Sequence, residues 1–231
     1  MLKRLVLFDI DGTLLWTGGA GRAALRETLL HVYGKAGRIN DYDLGGRTIK
    51  EIVRDLLAGE GLEPPEIWAR FGAFTAAWPG IMRRVIAGYD VQPCQGVPEL
   101  VAALAVRRDV LLGVLTANIE ATARIKLEAA GYDPSVFKLG AYGDASEVRA
   151  DLVKAALERA KALTGVTFSP QQAVLIGDTA LDVLTAHRAG ARSIAVLTGG
   201  KSRAELEAAR PDYLFDDLSD TGAVIAAILA G

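Results

Sequence analysis

The stretch "LVLFDIDGTLL", residues 5–15, decides how the rest of the chain is read. Leu5 to Phe8 are four apolar residues with the length and character of a buried strand. Asp9 and Asp11 then flank Ile10, and Gly12 and Thr13 follow with turn chemistry. Side chains on a strand alternate faces, so the two carboxylates project to one side and repel each other. A positive group between them, a proton on one of them, or solvation in a turn would relieve that repulsion.

The chain around this stretch is ordinary in composition: 231 residues, 51% hydrophobic and 23% charged. That length favours one domain with an insert and buries a sizeable core without staples. A net charge of -2 shows no basic footprint, which argues against nucleic acid as a partner. Cys94 is the single cysteine, so no intrachain disulfide forms and a reducing compartment is expected. "MLKRLVLF" runs straight into Asp9, too short for a signal peptide, and no apolar run is long enough for a membrane span. The expectation is a cytoplasmic protein, monomer or homodimer, with no membrane partner.

Beyond residue 96, short apolar runs alternate with helical patterns. "LLGVLT" (111–116), "VFKLGAYG" (136–143, weaker), "AVLIGDT" (173–179), "SIAVLTG" (193–199) and "DYLFD" (212–216) read as strands. Between them lie the helical stretches "IEATARIKLEAAG", closed by Gly131, then "RADLVKAALERAKALTG", "LDVLTAHRAG" and "SRAELEAAR". Apolar strands separated by helices predict a doubly wound parallel sheet of α/β class, covered on both faces. Residues 17–90 differ. They hold three helical stretches, "RAALRETLLHVYG", "TIKEIVRDLLAGEG" and "PEIWARFGAFTAAWPGIMRRVIAG", and Pro79 is expected to end or kink the last. The predicted organisation is a Rossmann-like α/β core over 1–16 and 91–231, with a helical cap over 17–90.

Ligands bind at the carboxyl ends of parallel strands, and four predicted ends carry polar residues. These are Asp9 and Asp11; Thr116 and Asn118; Asp144, Glu147 and Arg149; and Asp178 and Asp182 of "GDTALD". Carboxylates converging on one cleft need a cation, and hard oxygen ligands suit Mg²⁺ held together with substrate phosphate. Thr116 and Asn118 offer neutral donors, and Arg149 a cation able to grip phosphate with two nitrogens.

"DIDGT" (9–13), "LTAN" (115–118) and "GDTALD" (177–182) resemble, in order and spacing, three of the four signature motifs of the haloacid dehalogenase-like hydrolases. The likeness spans essentially the whole chain, and the helical block falls where that superfamily carries its cap. It implies that Asp9 is a nucleophile forming an aspartyl phosphate, and that Asp11 protonates the leaving group and then activates water. It further implies that Thr116 binds the transferring phosphoryl group, that Asp178 joins Asp9 and the Asp11 carbonyl around Mg²⁺, and that Asp182 orients the site. Dehalogenases of the superfamily lack an acid at the position of Asp11, so phosphoryl transfer is favoured. The expected third-motif lysine is missing. Arg149 is the candidate replacement and Lys154 the second. Within the superfamily the chain looks most like the phosphoglycolate phosphatase-like group, so a small phosphorylated metabolite is the expected substrate. A phosphomutase of the β-phosphoglucomutase type and a non-catalytic phosphometabolite-binding protein are the alternatives.

Other runs carry less. "GGAGRAA" (18–24) lacks the strand and acidic residue of a dinucleotide site and reads as a hinge; "GGKS" (199–202) lacks the first glycine of a phosphate loop. "DLGGRT" (43–48) sits between cap helices, where Arg47 could meet a substrate anion. Gly12, Asn118 and Arg47 form the candidate substrate-binding set. His31, His187, Cys94, Trp68 and Trp78 are read as structural.

Overall fold

The computed structural model describes residues 2–230. Strand β1 (Arg4–Phe8) lies at the centre of a six-stranded parallel sheet of order β5-β4-β1-β6-β7-β8. Its neighbours are β4 (Val110–Thr116) and β6 (Ala173–Gly177), with Leu5 opposite both Leu111 and Ala173. Outside them come β5 (Leu139–Tyr142) on one side, and β7 (Arg192–Val196) and β8 (Tyr213–Phe215) on the other. The fold class is therefore α/β with a Rossmann-like sheet, as expected.

The alternation of β1 sorts its side chains between two apolar layers. Val6 and Phe8 pack with Val114 and Ile176 against α4 (Val97–Ala105), α5 (Glu120–Ala129) and α9 (Thr221–Leu229). Leu5 and Leu7 pack with Leu115 and Leu175 against α6 (Arg149–Thr164) and α7 (Ala180–Arg188). Helix α8 (Arg203–Ala208) covers one face of β7 through Leu206, which packs with Ala195. Both α7 and α8 start on capping boxes, Thr179 with Asp182 and Ser202 with Glu205.

Between β1 and α4 the chain builds a separate helical layer. It leaves through β2 (Leu15–Trp16) and returns through β3 (Gln92–Pro93), which pair antiparallel. Helices α1 (Ala20–Tyr33), α2 (Ile49–Ala58) and α3 (Pro64–Ile86) share one apolar cluster containing Leu29, Val53, Leu57, Ile67, Phe74 and Met82. Ile119 and Ile125 join that cluster from the sheet side, so the two layers are in direct contact. Pro79 does not end α3: the helix runs through it for 23 residues. The buried Phe74, Trp78 and Met82 lie on one face across that point, and their packing outweighs the one backbone hydrogen bond a proline removes. No helix among the described residues is long and apolar enough to cross a membrane.

Candidate active site

β1 ends at Phe8, but Asp9 still donates its backbone N–H to the Ile176 carbonyl at 2.9 Å, so its side chain stands at the sheet's edge. The chain then reverses over one acceptor: the Ile10 carbonyl takes the N–H groups of Thr13, Leu14 and Leu15. Gly12 has φ +85°, and a Cβ there would lie 2.6 Å from Asp178 Oδ2. Glycine is required both by conformation and by the approach of that carboxylate.

The turn separates the two acids and provides each with a cation. Asp9 is buried, with Arg149 Nη2 at 3.3 Å from its Oδ1. Asp11 receives Lys126 Nζ at 2.8 and 2.7 Å on its two oxygens, and Asn118 Nδ2 at 2.8 Å. The repulsion foreseen from the alternation is met here by a separate cation on each acid. Thr116 is fully buried at the end of β4, and its Oγ1 accepts from the N–H and Nδ2 of Asn118.

β6 delivers Asp178, whose Oδ1 accepts from Thr13 Oγ1 at 2.9 Å. Asp182 follows in the first turn of α7 with both oxygens committed: Oδ1 accepts from Arg149 Nη2 at 2.6 Å, Oδ2 from the N–H and Oγ1 of Thr179. Oxygens of Asp9, Asp178 and Asp182 all lie within 4.8 Å of one another in buried surroundings, a set that could hold a metal ion. Burial pushes Asp9 up to about 7 against the opposing pull of Arg149, and raises Asp178 well above the usual carboxylate range. A cation among these oxygens would reverse both shifts. Each of the three could offer an oxygen to it, Asp182 while also accepting from Arg149 and Thr179. The Asp11 side chain stands outside this group, on Lys126.

Arg149 opens α6, and its Nη1 also donates to the Arg47 carbonyl at 3.2 Å, reaching the helical layer. Lys154, the second candidate, is exposed one turn further along α6. Arg47 itself turns away: its guanidinium pairs with Glu51, donates Nε to the Asp43 carbonyl and lies 5.3 Å over the Tyr42 ring. It does not line the cavity that opens over Asp9. Glu147 likewise serves the helical layer, pairing with Arg54 and accepting from Thr48 Oγ1 on its carbonyl. His187 sits with Ser193 and Asp212, away from that cavity.

The cavity measures about 360 Å³ and is lined by Asp9, Asp11, Asn118, Arg149 and Asp178 on the sheet side and by α1, α2, α3 and the 43–46 loop on the other. Lys126 is the residue that motif reading misses. Its signal was a lysine on the apolar stripe of α5, beside the buried Ala123, Ile125 and Leu127. Gly199, Gly200 and Lys201 also line the cavity, although "GGKS" has no phosphate-loop pattern. Gly199 is packed so closely on Asp178 that a Cβ would collide with its carboxylate.

A family model described as HAD-hydrolase-like matches residues 148–221. The phosphoglycolate phosphatase of Rhodospirillum rubrum is 29% identical, the match covering 96% of this chain and 90% of that one. Pyrophosphatase PpaX of Bacillus pumilus is 26% identical over 96% of each. A predicted phosphatase from Clostridium acetobutylicum, 18% identical, shares the fold with a TM-score of 0.71 over 98% of this chain and all of its own. The motif residues that converge on one strand edge and these likenesses agree: the chain is similar to the haloacid dehalogenase-like hydrolases, through the family model over residues 148–221 and through the two phosphatases along nearly its whole length.

Proposed function

We propose that this protein is a Mg²⁺-dependent phosphomonoester hydrolase acting on a small phosphorylated metabolite through an aspartyl-phosphate intermediate. The observation that carries the reading is the buried Asp9 carboxylate, gripped by Arg149 and within metal-sharing distance of Asp178. Asp9 attacks phosphorus as the bond to the leaving oxygen breaks, and Asp11 gives that oxygen its proton. Asp11 then takes a proton from water, whose oxygen displaces Asp9 from phosphorus and frees inorganic phosphate. Asn118 and Lys126 hold Asp11 in place for both transfers. Arg149, tied to Asp182, presents positive charge to the phosphoryl oxygens. Thr116 positions Asn118 from beneath. Asp9 and Asp178 would hold Mg²⁺, which when bound would supply further positive charge against those oxygens.

In this reading residues 17–90 act as a cap over the core, and Arg47 contributes its carbonyl to Arg149 rather than its guanidinium to substrate. The test is phosphate release from a panel of phosphorylated metabolites with Mg²⁺. Turnover by the wild type and its fall by about 10³-fold or more in Asp9→Asn is the expected result. Equal release by both proteins would refute it.

A further inference from the structure

The run "GGAGRAA" (18–24) leads into α1 and lies where the catalytic cavity adjoins a second one. The second is a groove of about 550 Å³, bordered by Arg26 and Glu27 of α1 and by Val85 and Tyr89. Gly19 and Arg22 line both cavities, so the two adjoin at the first turn of α1. Gly21 decides which end of a substrate comes here. A Cβ on it would lie 3.2 Å from Lys126 Nζ, the cation that holds Asp11. Asp11 serves the leaving oxygen, so the leaving group departs beside α1 with no side chain from residue 21 in its path.

Four cations line the catalytic cavity, and three of them face acids: Lys126 on Asp11, Arg149 on Asp9 and Asp182, Lys201 on Asp43. Arg22 alone has no acid partner among the described residues. Its Nη1 donates to the carbonyls of Ile39 and Tyr42, which anchors the guanidinium and leaves Nε and Nη2 without a partner. Those two N–H groups form the side-on fork that grips a phosphate or carboxylate through two bonds. Arg26 stands one turn further along α1, exposed and also unpaired. The acid of the groove, Glu27, is taken by Arg84. Two positive charges are therefore left unbalanced where the groove meets the cavity. Trp78, in the cavity wall, adds a buried Nε1–H with no acceptor. What this arrangement lacks is a ligand rich in anionic oxygen.

We propose that Arg22 and Arg26 form a second anion site, and that the substrate is a phosphate monoester whose alcohol carries a carboxylate or another phosphate at its far end. The inference rests on the hydrolase reading above and names its substrate class.

The test uses phosphate esters of matched primary alcohols, about two to six carbons long, ending in a methyl, a carboxylate or a second phosphate. All release a primary alkoxide, so differences in kcat/KM with Mg²⁺ report the far end. At the best length an anionic end is expected to exceed methyl by about tenfold or more, and the larger gain tells phosphate from carboxylate. Arg22→Gln should shrink that advantage about tenfold, chiefly through KM, and the exposed Arg26→Gln by about two- to fivefold. Arg108→Gln, which removes a charge just before β4 at the opposite end of the sheet, should leave the advantage unchanged. The same order is expected in Kd, measured by calorimetry in the Asp9→Asn background. Anionic ends no better than methyl at any length, or an advantage that survives both arginine substitutions, overturn the proposal and leave the hydrolase standing. Arg26→Gln decides if Arg22→Gln does not fold. Tighter, arginine-dependent binding of the anionic esters with turnover of none would keep the anion site and sink the hydrolase. Neither binding nor turnover sinks both.

Discussion

Replacing Arg149 with methionine removes a buried guanidinium that holds Asp9, Asp182 and the Arg47 carbonyl at once. The side chain keeps its volume, so the effect is electrostatic. Breaking a buried pair by deleting one partner costs about 3–5 kcal/mol, because the remaining charge loses its compensation. For a chain of this size each kcal/mol moves Tm by about 2–4 °C, so the metal-free variant should melt roughly 6–20 °C below the wild type at pH 8. The pH dependence has a definite sign. Asp9 in the folded wild type is raised to about 7, above its unfolded value, so the folded state holds the extra proton and stability falls as pH rises towards 7. Without Arg149 the folded value rises further, so the penalty keeps growing above pH 7 where the wild type has levelled off. Thermal and urea denaturation in EDTA at pH 6 and pH 8 measure both quantities. The gap between the two proteins should widen by at least about 1 kcal/mol from pH 6 to pH 8. A gap that is the same at both pH values, or below about 1 kcal/mol at pH 8, would show that Arg149 does not compensate Asp9.

Three further outcomes test other parts of the site. Mg²⁺ at a hundred times its Kd should stabilise the wild type by about 2.7 kcal/mol at pH 8, and Asp178→Asn should abolish that gain in a thermal-shift titration. Gly199→Ala should weaken Mg²⁺ binding about 10–100-fold by isothermal titration calorimetry, because the added methyl displaces the Asp178 carboxylate. Lys126→Met should lower kcat about 10²-fold or more while Mg²⁺ affinity stays within a few-fold of wild type, since Lys126 contacts Asp11 and neither Asp9 nor Asp178.

The parallel sheet was legible because each of its strands is a short apolar run with a helical period after it, and β1, β4 and β6 each end in a polar signature. What escaped was held by tertiary contact. The β2–β3 pair is two residues on each side and contains Pro93, so no alternation announces it. Pro79 carries the local chemistry of a helix end, overridden by packing on both sides of it. The expected strand over 136–143 shortens to Leu139–Tyr142 because Asp133 caps a single turn at Pro134–Val136. At the site, acids two or four residues apart are visible in sequence, whereas the cations that face them come from helices far along the chain. Arg149 could be placed by its interval from the strands. Lys126 could not, because its partner Asp11 is 115 residues away and the only local sign is a charge on a buried stripe.

The central position of β1 also sets the order in which the molecule can be made. Both edges of this strand are satisfied by partners that emerge much later, β4 beginning at Val110 and β6 at Ala173. At about 5–20 residues per second, a ribosome takes roughly 10–30 s to travel from Phe8 to the start of β6. During that interval a strand whose every side chain is buried in the finished fold waits with open backbone on either side. The three helices of residues 20–86 draw on local contacts and can collapse meanwhile, leaving the acids of the nascent N-terminus unassembled until more than three quarters of the chain exists.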